Sequence, residues 1–88
     1  MIKKDYTVTA TEGIHARPAT KLARLAKEFK SSIDLKKGDR TVKLNSMLNI
    51  LTLGAKGGDT ITIIVEGADE QAAYAAIDQF LTEELKNH

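Results

Sequence analysis

Apolar residues along this chain switch repeatedly between a period of two and a period of three to four, and no other feature limits its folds so much. In "IKKDYTVTA" Tyr6 and Val8 alternate with Thr7 and Thr9, the pattern of a half-buried strand. From Ala16 onward Ala19, Leu22, Ala23, Ala26 and Phe29 recur every three or four positions, which predicts an amphipathic helix ending before the Ser31-Ser32 pair. Ile33 and Leu35, then Val42 and Leu44, alternate on either side of "KKGDR" and predict a hairpin turning at Gly38. "NSMLNILTLG" offers Asn45 or Ser46 as an N-cap and Gly54 as a stop, with about two helical turns between them. "DTITIIVEG" reads as a strand. Behind an Asp69 cap, the segment to Leu85 places Ala72, Ala73, Ala76, Ile77, Phe80 and Leu81 at helical spacing. The order is βαββαβα, and all six glycines fall at its boundaries. Four strands interleaved with three helices imply an α+β fold, an open-faced sandwich in which a four-stranded antiparallel sheet carries three helices on one face. With 88 residues, 42% of them hydrophobic, the chain can bury one modest core, so residues 1–88 are expected to form a single domain.

Composition removes whole classes of function. Without cysteine there is no disulfide, no thiolate metal site and no thiol nucleophile, and no metal or cofactor is expected. The longest apolar run, Ile61 to Val65 with Thr62 inside it, is far short of a membrane span, and "MIKKDYTVTA" has no signal-peptide core, so a cytoplasmic protein without membrane insertion is expected. Thirteen basic against 12 acidic residues give a net charge of +1, which lacks the cationic excess that drives nucleic-acid binding. Two Phe and two Tyr make no RNA-stacking motif either.

Residues 13–20, "GIHARPAT", concentrate the chemistry. Proline is tolerated in a helix only within the first turn, so Pro18 pins the helix start to within a residue or two of His15. Unpaired amides and the positive end of the helix dipole make an anion site there, Gly13 permits close backbone approach, and Arg17 adds a guanidinium suited to phosphate oxygens. The same helix end disfavours imidazolium and keeps a neutral nucleophilic nitrogen on His15. A lone histidine at a helix start is ordinarily an exposed capping residue, and the surroundings of His15 narrow that gap without closing it. His88, at the chain terminus, is assigned no role.

Three further features carry two readings each. Arg17, Lys21, Arg24 and Lys27, spaced four, three and three apart, share one helix face; this is either a solvated surface or a guide for an acidic partner, delivering the partner's reactive group to His15. In the short helix, if Ile50 and Leu53 face the core, then Met47, Leu48 and Leu51 are surplus, forming a binding patch unless the helix is buried more deeply. Ser46 reads most simply as an N-cap, a position that also accepts a phosphate.

"GIHARPAT", followed by Ser46, "LTLG" and "EGADE", closely resembles the HPr family, the histidine-containing phosphocarriers of the bacterial sugar phosphotransferase system, over essentially the whole chain. The resemblance implies that His15 takes a phosphoryl group on Nδ1 from phosphorylated enzyme I and passes it to a histidine of an EIIA domain, with Arg17 stabilising the group in transfer. Such a protein is a carrier rather than an enzyme. It further implies that Ser46 is the regulatory serine of an ATP-dependent HPr kinase/phosphorylase, the seryl-phosphorylated form acting with a catabolite-control transcription factor. Partners dock in such proteins through the first helix and the short helix, here Thr20, Lys21, Arg24, Lys27, Met47, Leu48 and Leu51. The chain departs from the common pattern at Asn45, where lysine often precedes the serine, at Asn49, where glycine or lysine is usual, and at Glu12, where a neutral polar residue is frequent. Intact His15 favours the phosphoryl relay over the alternative, a regulatory adaptor acting through Ser46 alone.

Overall fold

A computed structural model of the chain describes residues 1–8 and 16–86, with side chains through Glu83. The elements follow the expected order: β1 (Ile2–Thr7), α1 (Ala16–Ala26), β2 (Ser32–Lys37), β3 (Arg40–Lys43), α2 (Met47–Leu53), β4 (Thr60–Glu66) and α3 (Glu70–Lys86). The strands form one antiparallel sheet in the order β1-β4-β2-β3, so the sixth element in sequence lies at its centre. Thr9, expected to continue β1, lies outside the described residues.

Pleating sorts the sheet into two faces. Tyr6, Ile33, Leu35, Ile61, Ile63 and Val65 point to the covered side and are buried, while Lys3, Asp5, Thr41, Lys36 and Glu66 stay exposed on the other. Register agrees with this division, since Leu35 lies opposite Ile63, Ile33 opposite Val65, and Tyr6 opposite Ile61. On the covered side α3 packs over β1 and β4, α2 packs over β2 and β3, and α1 rests against both other helices. Leu22 of α1, Ile50 of α2, and Ile77 and Leu81 of α3 are all but inaccessible and meet the sheet residues in one core. Burying each such side chain is worth about 1.5–3 kcal/mol, which fixes the three helices on that face.

Two tertiary contacts reshape what periodicity alone predicts. Helix α1 stops at Ala26 rather than running to Phe29: Glu28 N–H donates to Leu25 O at 3.1 Å and Phe29 N–H to Ala26 O at 3.4 Å, the tighter spacing of a closing turn. The next two amides, of Lys30 and Ser31, donate to the carboxylate of Asp69, each at 2.8 Å, and the Ser31 hydroxyl donates to it as well. Asp69 therefore holds the end of α1 rather than serving only the helix it precedes. The Ser31 hydroxyl, followed by the Lys30 amide, holds its pKa below the usual carboxylate value. The close approach of the two segments explains Gly67, where a Cβ would stand 2.7 Å from Ser31 Cα.

On α3, Ala73, Ile77 and Leu81 are buried, but Ala72 is exposed, because the six apolar positions spread around more of the helix than one packed face can cover. Asp78 joins α3 to the edge strand by accepting from Tyr6 OH at 2.5 Å and Lys4 Nζ at 2.9 Å. The Tyr6 hydrogen bond and then the Lys4 ammonium lower the Asp78 pKa, whereas burial and the same carboxylate raise that of Tyr6.

Candidate functional site

Helix α1 opens at Ala16, the residue that follows His15 in sequence, and its first turn carries no acidic side chain. The start agrees with the constraint set by Pro18, whose missing N–H costs nothing there. The amides of Ala16 and Arg17, at the first two positions of the helix, lie ahead of its own hydrogen-bond ladder. Pro18 and Ala19 are buried, so the turn is anchored from below while the Arg17 side chain stands exposed at its rim. An exposed guanidinium and outward-facing amides at one helix end can hold the oxygens of a phosphoryl group. His15 itself lies outside the described residues, as do Glu12, Gly13 and His88.

Lys21 and Arg24 continue from Arg17 along the exposed face of α1. Lys27, expected on the same helix face, is exposed but falls in the turn after the helix, its N–H shared between Ala23 O at 3.3 Å and Arg24 O at 3.2 Å. Thr20 links this face to α2: its hydroxyl lies 2.8 Å from Ala16 O and 2.8 Å from Met47 Sδ. The beginnings of α1 and α2 are thus neighbours, which periodicity cannot reveal.

Ser46 takes the N-cap position of α2 with extended backbone (φ −136°, ψ 122°) and accepts from Asn49 N–H at 3.2 Å. Asn49 in turn donates its side-chain amide to Lys43 O at 3.4 Å, while Asn45 is exposed. Ile50 and Leu53 are the core residues of this helix, Leu51 is half-buried against the core, and Met47 and Leu48 are 41% and 67% exposed. The surplus apolar surface is therefore real but narrower than the three-residue patch expected, with Leu51 contributing only its outer part.

At its other end α2 has the Gly54 stop that the sequence marks, together with two contacts that it does not. Gly54 adopts φ 70° and donates its N–H to Leu51 O at 3.1 Å. Beyond this cap Arg40 donates to Thr52 O at 2.9 Å and Lys37 Nζ donates to Gly54 O at 3.1 Å, so two cations of the β2–β3 hairpin sit at the negative end of the helix dipole. Asp59 accepts from Lys37 Nζ at 3.3 Å, and the Lys56 N–H, followed by Lys37, lowers its pKa. These residues look like ordinary turn charges in sequence, because nothing local marks the helix terminus they reach.

A protein-family model described as the PTS HPr component phosphorylation site matches residues 2–83. The chain belongs to the HPr family. Among solved structures it is similar to the histidine-containing phosphocarrier protein of Mycoplasma, at 33% identity and a TM-score of 0.93, covering 99% of this chain and 100% of that one. It resembles the phosphocarrier protein HPr of Bacillus anthracis at 32% identity and a TM-score of 0.81, covering 90% and 94%. The catabolite repression containing protein Crh of Bacillus subtilis, described as a swapped dimer, is similar at 29% identity and a TM-score of 0.75, covering 97% and 98%. Membership makes this chain a phosphocarrier-family protein of the phosphotransferase system, with regulatory relatives close by. Among the described residues no helix is long and apolar enough to cross a membrane, and no group of His, Asp and Glu is placed to hold a metal ion.

Proposed function

We propose that residues 1–88 form a single HPr domain that relays phosphoryl groups in the cytoplasm from phosphorylated enzyme I to EIIA domains through His15. The observation that carries this reading is the start of α1 at Ala16, directly after His15 in sequence, with Arg17 exposed on a first turn free of acids. The neutral Nδ1 of His15 attacks the phosphorus of the enzyme I phosphohistidine; the new N–P bond forms as the bond to enzyme I breaks, and enzyme I keeps its imidazole. Helix amides and Arg17 hold the equatorial oxygens through the in-line step, and the partner supplies the remaining machinery. The reverse sense of the same step delivers the group to EIIA. Thr20, Lys21, Arg24 and Lys27 with Met47, Leu48 and Leu51 form the docking surface, the cations meeting an acidic rim and the apolar residues its centre.

Similarity to Crh supports a second role on the same scaffold. Phosphorylation of Ser46 by HPr kinase/phosphorylase places charge beside Met47 and Leu48, opposing enzyme I docking and favouring a catabolite-control transcription factor. A regulatory adaptor alone would leave His15 unused. Incubation with phosphoenolpyruvate and enzyme I, followed by intact-mass analysis, separates the two: one acid-labile phosphate maps to His15 and is lost in His15→Ala. Labelling that survives this substitution, or no transfer at all, overturns the relay.

A further inference from the structure

We propose that the groove between the end of α1 and the start of β2 is a binding site for a compact organic phosphate. The groove has a volume of about 360 Å³ and exists because α1 stops at Ala26 and the chain crosses to the sheet in tight turns. Lys27 and Lys30 stand on the crossing segment, and Lys43 approaches from β3. Ser32 and Asn45 complete the polar lining, and Ile33 provides an apolar floor.

Charge is the distinguishing feature. The whole chain has 13 basic and 12 acidic residues, yet three lysines and no acidic residue line this groove. Two nearby carboxylates are already engaged: Asp34 pairs with Lys43 Nζ at 3.2 Å, and Asp69 accepts from the backbone amides of Lys30 and Ser31. The last carbonyls of α1, which would repel an anion, accept from Lys27, Glu28 and Phe29. Ser32 Oγ accepts from Lys43 Nζ at 3.1 Å, which leaves its own proton to donate. The ammonium groups of Lys27 and Lys30, with that of Lys43 shared with Asp34, together with a hydroxyl and an exposed amide offer a set of donors that matches the oxygens of a phosphate monoester.

Size selects among phosphates. Small-molecule sites run from roughly 300 to 1,000 Å³, so this groove takes a phosphate carrying a short sugar-like body over Ile33 rather than a dinucleotide. It is separate from the phosphoryl-transfer region, because the eleven residues of α1 place its two ends about 16 Å apart. The assignment does not depend on the relay.

Titration of ¹⁵N-labelled protein with ribose 5-phosphate, at ionic strength balanced with sodium chloride, tests the site. Saturable shifts are expected at the amides of residues 26–33 and 43–45. Lys30→Glu, which reverses one exposed charge facing a dianion, should weaken binding about tenfold, and Ser32→Ala should weaken it less. Lys56→Glu, equally exposed but outside the groove, should titrate like wild type. Inorganic phosphate should bind more weakly than ribose 5-phosphate. Shifts that follow every basic residue alike, or a Lys30→Glu variant that remains folded and titrates unchanged, overturn the site. Equal affinity for inorganic phosphate overturns the choice of an organic ligand.

Discussion

Replacing Gly67 by alanine tests the joint between the end of α1 and the start of α3. Its φ of 154° lies in a region that is nearly glycine-only, and residues forced into such regions cost on the order of 1–3 kcal/mol. The new methyl would also meet Ser31 Cα and Oγ at 2.7 Å and Cβ at 2.9 Å, closer than real contacts allow. Overpacking of this kind adds roughly 1–3 kcal/mol, since one neighbour is backbone that three hydrogen bonds to Asp69 hold in place. Gly54 supplies the control: it has φ 70° but nothing within 4 Å of its missing Cβ, so Gly54→Ala pays only the conformational cost of about 1–2 kcal/mol. Urea unfolding followed by circular dichroism should show Gly67→Ala less stable than Gly54→Ala by roughly 1–3 kcal/mol, with a melting temperature lower by about 4–8 °C for each kcal/mol of that difference. Ser31→Gly removes two of the three clashing atoms, so the double variant should be less destabilised than the sum of its parts. Equal stabilities for the two single alanine variants would refute the claim that the Ser31 contact, rather than backbone conformation, requires glycine at 67.

Ser46→Ala should lose the cap on Asn49 N–H and about 0.5–2 kcal/mol of stability while keeping phosphotransfer largely intact, and Ser46→Asp should slow phosphorylation of His15 without lowering the melting temperature. Transfer at the wild-type rate in Ser46→Asp would leave the serine as a cap only. Lys21→Glu with Arg24→Glu should raise the apparent KM for phosphotransfer at low salt and leave unfolding unchanged; unaltered kinetics would assign this face to solvent. Asp78 has a folded pKa below its ordinary 3.8, so its contribution is present above that value and is lost as pH falls through the lower folded one. Lys4, hydrogen-bonded to Asp78, is raised above 10.5, so its contribution is complete below that value and is lost as pH rises through the higher folded one. Asp78→Asn should flatten both limbs of a stability-against-pH curve, and a curve superimposable on that of wild type would contradict the coupling.

In the candidate site, the helix start near His15, the Ser46 cap and the Gly54 stop were legible because caps and prolines act over three or four residues of contiguous chain. The alternating runs of Ile33, Leu35, Ile61 and Ile63 were equally local, since a strand's two faces are set by its own pleat. The family motif around His15 pointed to phosphate chemistry before any geometry was known. What the sequence could not show depends on residues far apart along the chain. Placing β4 between β1 and β2 is decided by which apolar faces complete a common core. Asp69, 38 positions beyond Ser31, ends α1 early because its carboxylate competes for the Lys30 and Ser31 amides. Lys37 and Arg40 reach the carbonyls of α2 only once the hairpin folds beside it. The exposure of Met47 and Leu48, with Leu51 half-covered, follows from how a two-turn helix rolls against the sheet. Short-range patterning thus determined which segments are helix or strand and where they begin, whereas long-range packing decided their neighbours, because burial and charge pairing act through space without regard to sequence separation.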